Sequence, residues 1–259
     1  MDEREIIARA DANYFEAMRA IIASNDGGDV RECDGVLILA SGLPVAWFNI
    51  AFVTRPPHAH DAAIRGAINY FDAHKLPFLF RMREGVDPAF EQAAAGAGLP
   101  YSDTVPGLVL HPVPDPPAAL AALDIRTVRD AQTLGDHVRV VADSFSMPLE
   151  MAQRFMTSRL LDIVDAELYV GYVDGAPVAS SALVATHRTG GVYNVGCVAS
   201  QRRKGYGEAM TWHAVRRGAE MGCLMSSLQA SEMGRPVYER MGFRLVAPYR
   251  TYLRPEHTS

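Results

Sequence analysis

Short apolar runs alternate with amphipathic stretches along the second half of the chain, and their order predicts a mixed fold. Runs rich in β-branched residues predict strands at 124–128, 168–173, 178–185, 192–198 and 224–229, with a last strand from Phe243. Helical spacing and helix start signals predict helices at 130–143, 148–160, 208–221 and 234–241. Turn signals at Asp174-Gly175 and Thr189-Gly190-Gly191 predict an antiparallel meander between residues 168 and 198. The predicted fold class is α/β, in the form of α+β with a mixed sheet.

A proline-rich segment divides the chain into nearly equal halves. Its residues, His111-Pro112-Val113-Pro114-Asp115-Pro116-Pro117, favour an extended linker, because proline removes hydrogen-bond donors and resists regular pairing. We therefore predict one domain at 1–110 and another at 121–259, joined by a linker at 111–120.

The two halves share landmarks that suggest an internal repeat. Gly42-Leu43-Pro44-Val45-Ala46 and Gly175-Ala176-Pro177-Val178-Ala179 each follow an apolar run, and Ala97-Gly98-Leu99 parallels Met241-Gly242-Phe243. The second half is longer between these landmarks. This predicts that the first half is a degenerate copy, which lacks one strand and the glycine loop after it. Chance similarity between two apolar hairpins is the alternative.

A basic glycine loop, Gln201-Arg202-Arg203-Lys204-Gly205-Tyr206-Gly207, separates the predicted strand 192–198 from the predicted helix 208–221. Its two glycines allow positive φ and a close approach of the backbone to a ligand. The first N–H groups of the helix lack internal acceptors and carry the positive end of its dipole, so a phosphate or pyrophosphate is the expected occupant. Arg202, Arg203 and Lys204 concentrate positive charge here in a chain of formal net charge -5. A basic surface turn without a ligand is the alternative.

Two common phosphate loops do not fit these residues. A dinucleotide fingerprint needs a third glycine where Met210 stands, and a Walker A loop needs glycine before lysine, whereas here Gly205 follows the lysine. The order Arg-x-x-Gly-x-Gly between a strand and a helix resembles the acetyl-CoA loop of the GCN5-related N-acetyltransferases (GNAT family). Downstream, Tyr238-x-x-x-Gly242-Phe243 is similar to the last helix and the following strand of that family. The resemblance covers residues 124–254.

Together with the internal repeat, the resemblance predicts two GNAT-like acyl-CoA N-acyltransferase folds in tandem, an arrangement that occurs in this family. It implies acetyl-CoA as cosubstrate, and we expect no metal. The strand at 224–229 would run parallel to the strand at 192–198 and diverge from it, opening a gap for the pantetheine arm. Relatives commonly carry proline in place of Ala199 and asparagine in place of Ser231. The cofactor-binding residues that the resemblance implies are Cys197, Val198, Ala199, Arg202, Arg203, Lys204, Gly205, Tyr206, Gly207 and Ser231.

Two catalytic roles follow from the resemblance and from a strand glycine. Tyr238 matches the family's general acid, whose phenol would protonate the departing CoA thiolate. Packing of its ring beneath the pyrophosphate helix is the alternative. Gly196 lies in the middle of a predicted strand, where glycine often marks a bulge. We expect such a bulge to aim an N–H group at the thioester carbonyl.

The identity of the general base stays open. Many relatives carry a glutamate on the strand before the loop, where this chain offers only Tyr193, Asn194 and Cys197. Cys197 as a covalent nucleophile is one alternative, although a strand thiol with no neighbouring histidine is typical of an inert core residue. His187, an ordered water and the acceptor-side loop 144–147 are further alternatives, and that loop is equally consistent with a simple connector.

Composition narrows the possible partners and the compartment. Hydrophobic residues make up 49% of the chain, which supports a sizeable core, and the mildly acidic balance gives no reason to expect binding to nucleic acid or a membrane. Three widely separated cysteines, Cys33, Cys197 and Cys223, predict reduced thiols in a cytoplasmic protein. We expect a monomer or a homodimer.

The predicted function is that of an acyltransferase enzyme, an acetyl-CoA-dependent N-acetyltransferase that passes the acetyl group directly to an amine of a small molecule or peptide. A non-catalytic CoA-binding or sensing module is the first alternative. A protein acetyltransferase acting on lysine or an N-terminus is the second.

Overall fold

The computed structural model describes residues 1–254, which form two compact units. Unit 1 comprises Met1–Ala17 and Leu108–Leu245, and unit 2 comprises Met18–Gly107 together with the chain from Val246. The units therefore differ from the predicted division into 1–110 and 121–259 at both ends of the chain. Residues Met1–Ala17 belong to unit 1 with most of the later half of the chain. The chain from Val246 belongs to unit 2 with most of the earlier half.

Seven helices and eleven strands are described within residues 1–254. The helices are α1 (Glu3–Ala23), α2 (His60–Ala73), α3 (Pro88–Gly96), α4 (Ala131–Ser144), α5 (Leu149–Phe155), α6 (Tyr206–Glu220) and α7 (Arg235–Arg240). The strands are β1 (Asp29–Cys33), β2 (Val36–Ala40), β3 (Asn49–Val53), β4 (Leu79–Arg83), β5 (Tyr101–Leu110), β6 (Asp124–Thr127), β7 (Ala166–Val173), β8 (Ala176–Thr186), β9 (Thr189–Cys197), β10 (Met225–Gln229) and β11 (Arg244–Leu253). None of these helices is both long enough and apolar enough to cross a membrane.

The sheet of unit 1 contains the predicted meander. Strands β6 to β9 pair antiparallel in sequence order, and β10 pairs parallel with β9. The mixed α/β sheet is thus confirmed. The turn predicted at residues 189–191 is wrong, because those residues belong to β9 and pair on both sides. The chain instead reverses at His187 and Arg188, whose φ angles of 51° and 57° suit a tight hairpin turn.

Helices cover both faces of the unit 1 sheet. On one face, Met210, Ala214 and Val215 of α6 share a core cluster with sheet residues such as Leu183 and Val192. On the other face lie α4 and the first part of α1. The start of α4 is fixed by a capping box between Asp130 and Thr133, as the predicted helix start near Asp130 requires. Both helices on this second face reach the strand that leads to the glycine loop.

Unit 2 also contains a three-stranded meander, which corrects the prediction that the first half lacks a strand. β1, β2 and β3 pair antiparallel, β4 pairs parallel with β3, and β11 pairs antiparallel with β4. The residues of β1 are polar and largely exposed, so they gave no apolar signal. The comparison of the two halves therefore began one strand late and counted one strand too few in the first half. The glycine loop, by contrast, has no counterpart. The connection 54–59 between β3 and α2 contains two prolines and no glycine.

Candidate functional site

The hydrogen-bonded ladder between β9 and β10 is short. It joins Thr189, Gly190 and Gly191 to Met225, Ser226 and Ser227, whereas β9 continues to Cys197. Beyond the Gly191–Ser227 pair the two strands no longer bond to each other. The predicted parallel pairing is confirmed, and a gap in the sheet begins where the prediction requires one.

A β-bulge at Asn194 shapes the far half of β9. Ser180 pairs with Gly196 but Ala182 pairs with Tyr193, so β9 carries one extra residue between these pairs. Asn194 has a φ of 51°, a conformation that asparagine tolerates better than most residues. The bulge predicted at Gly196 is therefore wrong, since Gly196 pairs regularly with Ser180. The extra residue reverses the alternation of side chains, so Val195 faces α6 and Gly196 faces α4.

Gly196 is glycine because the end of α4 lies directly against it. A Cβ atom at this position would be 2.6 Å from Ser144 Oγ and 2.7 Å from Ser144 Cβ. No real contact of this kind is that close, so the residue must be glycine for α4 to pack here. The sequence placed Ser144 in the acceptor-side loop 144–147 but did not indicate this contact, because it joins distant parts of the chain. The Ser144 hydroxyl is buried and has no hydrogen-bond partner within residues 1–254.

Backbone groups of β9 alternate between its partner β8 and the gap. The Val198 N–H donates to the Val178 carbonyl over 3.0 Å, so Val198 faces β8. In an antiparallel ladder the neighbouring residue faces the opposite way. The N–H and carbonyl groups of Cys197 therefore point into the gap, and those of Val195 do so by the same alternation. These are the backbone groups that a ligand in the gap meets.

The first part of the glycine loop is tied to the end of α4. The Ala199 N–H donates to Asp143 Oδ1 over 2.7 Å. The guanidinium of Arg202 donates to the Ser144 carbonyl over 3.0 Å and to the Cys197 carbonyl over 3.3 Å. Arg202 thus anchors the loop instead of standing free beside Arg203, and Asp143 is an anchor that the sequence did not indicate.

The second part of the loop starts helix α6 in the predicted manner. Gly205 is the N-cap, with a φ of 82° that disfavours any other residue. The first hydrogen bond of the helix runs from the Ala209 N–H to the Gly205 carbonyl, which leaves the N–H groups of Tyr206, Gly207 and Glu208 without helical acceptors. A left-handed residue before a helical one directs successive N–H groups to one side. Gly207, expected to have positive φ, instead lies in ordinary helix.

Tyr238 lies in α7, in contact with the same helix. Its ring is buried and packs edge-to-face on Phe243 at 6.0 Å between centroids. Burial raises the pKa of the Tyr238 phenol to about 12, and the neighbouring Thr211 hydroxyl offsets part of that increase. Thr211 Oγ1 in turn donates to the Gly207 carbonyl over 2.8 Å. Thr211 thus lies between the Tyr238 phenol and the first turn of α6, and the phenol stays protonated at neutral pH.

Ser231 begins the turn that leads into α7. Its hydroxyl accepts the Gly234 N–H over 3.2 Å, and its carbonyl accepts the Arg235 N–H over 2.9 Å. A Cβ atom at Gly234 would lie 3.0 Å from the Tyr238 ring, so this turn fixes the position of the phenol. Ser231 is exposed.

The residues considered as base or nucleophile do not fit those roles. Burial raises the pKa of the Cys197 thiol, which keeps it protonated and unreactive at neutral pH. The buried Tyr193 hydroxyl donates to Asn13 Oδ1 over 2.9 Å, and burial raises its pKa well above the usual value. His187 lies in the hairpin turn at the far end of β9 from the loop. Asn194 is the extra residue of the bulge in β9, which gives it a structural role.

A cavity of about 400 Å³ in unit 1 does not contain the predicted residues. It is lined by the first turns of α4 and by residues of α5 and the following 3₁₀ helix, among them Leu134, Val138 and Met156. Its lining on α4 ends at Val138, which is about 9 Å along the helix from Ser144. Within residues 1–254, no group of three His, Cys, Asp or Glu side chains is arranged to hold a metal ion.

Part of the chain is similar to a known protein family. Residues 139–243 match the sequence model of the Acetyltransferase (GNAT) family, a stretch that holds β7 to β10, the glycine loop and Tyr238. None of the curated proteins compared matches the chain. The family match supports acyl-CoA-dependent N-acetyltransfer in general, and with it acetyl-CoA as the cosubstrate.

Solved structures extend the similarity of fold to nearly the whole chain. A GCN5-related N-acetyltransferase from Kribbella flavida is 19% identical with a TM-score of 0.73, over 96% of this chain and 95% of that chain. One from Sphaerobacter thermophilus is 14% identical with a TM-score of 0.63, over 86% and 82%. A glucosamine N-acetyltransferase region of a fungal multi-domain protein is 15% identical with a TM-score of 0.60, over 90% of this chain and 34% of that one.

The contact between Gly196 and Ser144 makes a testable prediction. Gly196→Ala should lower the free energy of unfolding by about 1–3 kcal/mol through overpacking, as measured by denaturant titration. Adding Ser144→Gly should restore most of the loss, whereas Ser144→Ala, which keeps the Cβ atom, should restore little. Gly66→Ala on α2, where no atom lies within 4 Å, is the control and should not destabilise. Equal loss with and without Ser144→Gly would contradict this packing.

Proposed function

We propose that the chain is an acetyl-CoA-dependent N-acetyltransferase with one active site, in unit 1, that passes the acetyl group directly to an amine of a small molecule or peptide. One observation carries the proposal. The gap that opens beyond the Gly191–Ser227 pair leads, along β9, to the left-handed Gly205 at the start of α6. An extended arm in the gap and a pyrophosphate at the helix start fit CoA.

The loop residues suit the pyrophosphate. The N–H groups of Tyr206, Gly207 and Glu208 have no acceptor in the helix and point beyond its N-terminus. The helix dipole adds positive potential at this end. Gly205 leaves the approach open because it has no Cβ. Arg203 and Lys204 are exposed and supply charge around the phosphates, while Arg202 fixes the loop. Ser231 would contact CoA from the opposite side.

The strand residues suit the pantetheine arm. The Cys197 N–H group faces the gap, while its carbonyl already accepts from Arg202, so an amide carbonyl of the arm would accept from Cys197 in the manner of an added strand. The Val198 and Ala199 N–H groups already donate to Val178 and Asp143, so these two residues would line the arm without bonding to it. The protein would thus supply one residue, Cys197, whose backbone pairs with the arm, and two apolar residues, Val198 and Ala199, that line it.

Acetyl-CoA supplies an activated acyl group as a thioester. In the transfer a C–N bond forms to the amine, the C–S bond breaks, and the amine loses a proton while the sulfur gains one. The Val195 N–H, aimed into the gap by the bulge at Asn194, is placed to stabilise the negative charge on the acyl oxygen. Tyr238 donates the proton to sulfur. The amine's proton leaves through water or an acceptor-side group.

We also propose that unit 2 derives from a second, degenerate copy of the same fold. Its order of β1, β2, β3, α2, β4, α3 and β5 parallels that of β7, β8, β9, α6, β10, α7 and β11. The β3–β4 ladder, however, runs from Ile50 to Val53, the end of β3, so no gap opens there. Ala94 stands at the place that corresponds to Tyr238. These differences support one active site per chain.

The function is tested by binding and turnover together. Acetyl-CoA should raise the melting temperature with increasing concentration, and amines should accelerate the loss of thioester absorbance. The amine panel should contain an amino sugar, since one similar structure belongs to a glucosamine N-acetyltransferase region, together with polyamines and peptide N-termini. Thioester absorbance is preferable to thiol reagents because Cys33 is exposed. Stabilisation without turnover would favour a CoA-binding module, and the absence of both would contradict the proposal.

The role of Tyr238 is tested by removing its hydroxyl. Tyr238→Phe keeps the ring against Phe243 and should lower kcat by about 10² to 10⁴, the usual contribution of a general acid. The dissociation constant for acetyl-CoA, measured by calorimetry, should stay within about twofold of the wild-type value, because no binding group is lost. Tyr70→Phe, which removes a hydroxyl bonded to Asp29 in unit 2, is the matched control and should keep kcat. An unchanged kcat in Tyr238→Phe would contradict the assignment.

A further inference from the structure

The first part of α1 belongs to unit 1, although it lies far outside the stretch 139–243 that matches the acetyltransferase family. One of its residues, Asn13, is completely buried. Its amide nitrogen donates to the Val184 carbonyl over 2.9 Å, to Thr186 Oγ1 over 2.9 Å and to the Thr189 carbonyl over 3.1 Å. A single side chain therefore bonds to both β8 and β9.

The amide oxygen of Asn13 faces two hydroxyl donors. It accepts from Tyr193 over 2.9 Å and from Ser227 over 3.4 Å. Carbonyl acceptors surround the nitrogen and hydroxyl donors surround the oxygen, so the orientation of the amide is determined by its partners. Because Ser227 lies on β10, the same side chain connects three strands of the sheet. Neither aspartate nor an apolar residue can make this set of bonds.

Asn13 lies at the point where the β9–β10 ladder ends. Ser227 and Gly191 form the last joined pair of the two strands. A Cβ atom at Gly191 would lie 2.1 Å from Asn13 Oδ1 and 2.6 Å from the Tyr193 ring, so glycine is required for the amide to fit. The next residues along β9 are Val192 and then Tyr193, whose hydroxyl is held by Asn13. The bulge at Asn194 follows immediately.

We propose that Asn13 is a positioning residue for the acyl-CoA site. It fixes the place and direction in which β9 leaves β10, and hence the course of the Val195 and Cys197 N–H groups that face the gap. The N-terminal helix is thus part of the site architecture, without contacting the ligand. The proposal rests on the function proposed above, and it adds a residue that lies outside the matched part of the chain.

Unit 2 offers a closely matched control. Asn49 is also completely buried, and its amide nitrogen donates to three backbone carbonyls, those of Leu43, Val45 and Pro77. Its oxygen accepts from the Ser41 N–H and hydroxyl groups. Replacing either asparagine removes three donated and two accepted hydrogen bonds. Only Asn13 lies beside the gap in unit 1.

The test compares Asn13→Ala with Asn49→Ala at a temperature where circular dichroism shows both to be folded. Asn13→Ala should raise the dissociation constant for acetyl-CoA at least tenfold by calorimetry and raise KM for acetyl-CoA more than it lowers kcat. Asn49→Ala should change both within about twofold. Tyr193→Phe, which removes a single bond to Asn13, should have a smaller effect in the same direction. Equal effects of Asn13→Ala and Asn49→Ala, or unchanged affinity in Asn13→Ala, would overturn the proposal.

Amide hydrogen exchange provides a readout that needs no ligand. In Asn13→Ala, exchange should accelerate in residues 192–197 and 227–229 relative to the rest of unit 1, and in Asn49→Ala it should not. Unchanged exchange in these residues would overturn the positioning role even if affinity fell. If the wild-type protein binds neither CoA nor acetyl-CoA, the proposed function and the inference fail together. Binding by the wild type with equal binding by Asn13→Ala defeats the inference alone.

Discussion

The early end of the β9–β10 ladder is the constraint on which the site depends. Buried backbone groups in proteins are almost always hydrogen-bonded, so a sheet that parts internally leaves N–H and carbonyl groups that need another partner. The N–H groups of Cys197 and Val195 face the gap in this way, whereas the Cys197 carbonyl already accepts from Arg202. A ligand with amides of its own, such as the pantetheine arm, completes the pairing. In the proposed complex the gap would therefore be both the entrance and a source of binding energy.

Several contacts hold this gap in place, and they come from different parts of the chain. The bulge at Asn194 turns Gly196 toward α4, where only glycine can accommodate Ser144. Arg202 and Asp143 bind the far end of β9 and the loop to the end of α4. In unit 2, by contrast, the β3–β4 ladder continues to the end of β3, and the sheet stays closed. The same strand order thus gives an open site in one unit and a closed one in the other.

Electrostatics in the site favour direct transfer over a covalent route. Burial raises the pKa values of both the Cys197 thiol and the Tyr238 phenol, so both groups hold their protons at neutral pH. A protonated thiol is a poor nucleophile. A protonated phenol is a competent proton donor to a departing thiolate. Burial thus causes both shifts, which make Cys197 unsuitable as a nucleophile and Tyr238 suitable as a proton donor.

Local signals in the sequence predicted the glycine loop, the helix that follows it and the place of Tyr238 in a short helix, and the family resemblance predicted the parallel pairing of β9 with β10. Gly196 shows why the rest failed, because a strand glycine marks either a bulge or a close approach, and only the fold shows that Ser144 lies there. β1 was missed because its residues are polar. Asn13 gave no signal at all, since its partners are more than 170 positions away.

The most direct measurement is a crystal structure of the protein with CoA. We expect the pyrophosphate at the N–H groups of residues 206–208, an amide of the pantetheine arm bonded to the Cys197 backbone, and the sulfur within hydrogen-bonding distance of the Tyr238 hydroxyl. We also expect unit 2 to bind no CoA. CoA bound elsewhere, or a sulfur far from Tyr238, would contradict the proposed site.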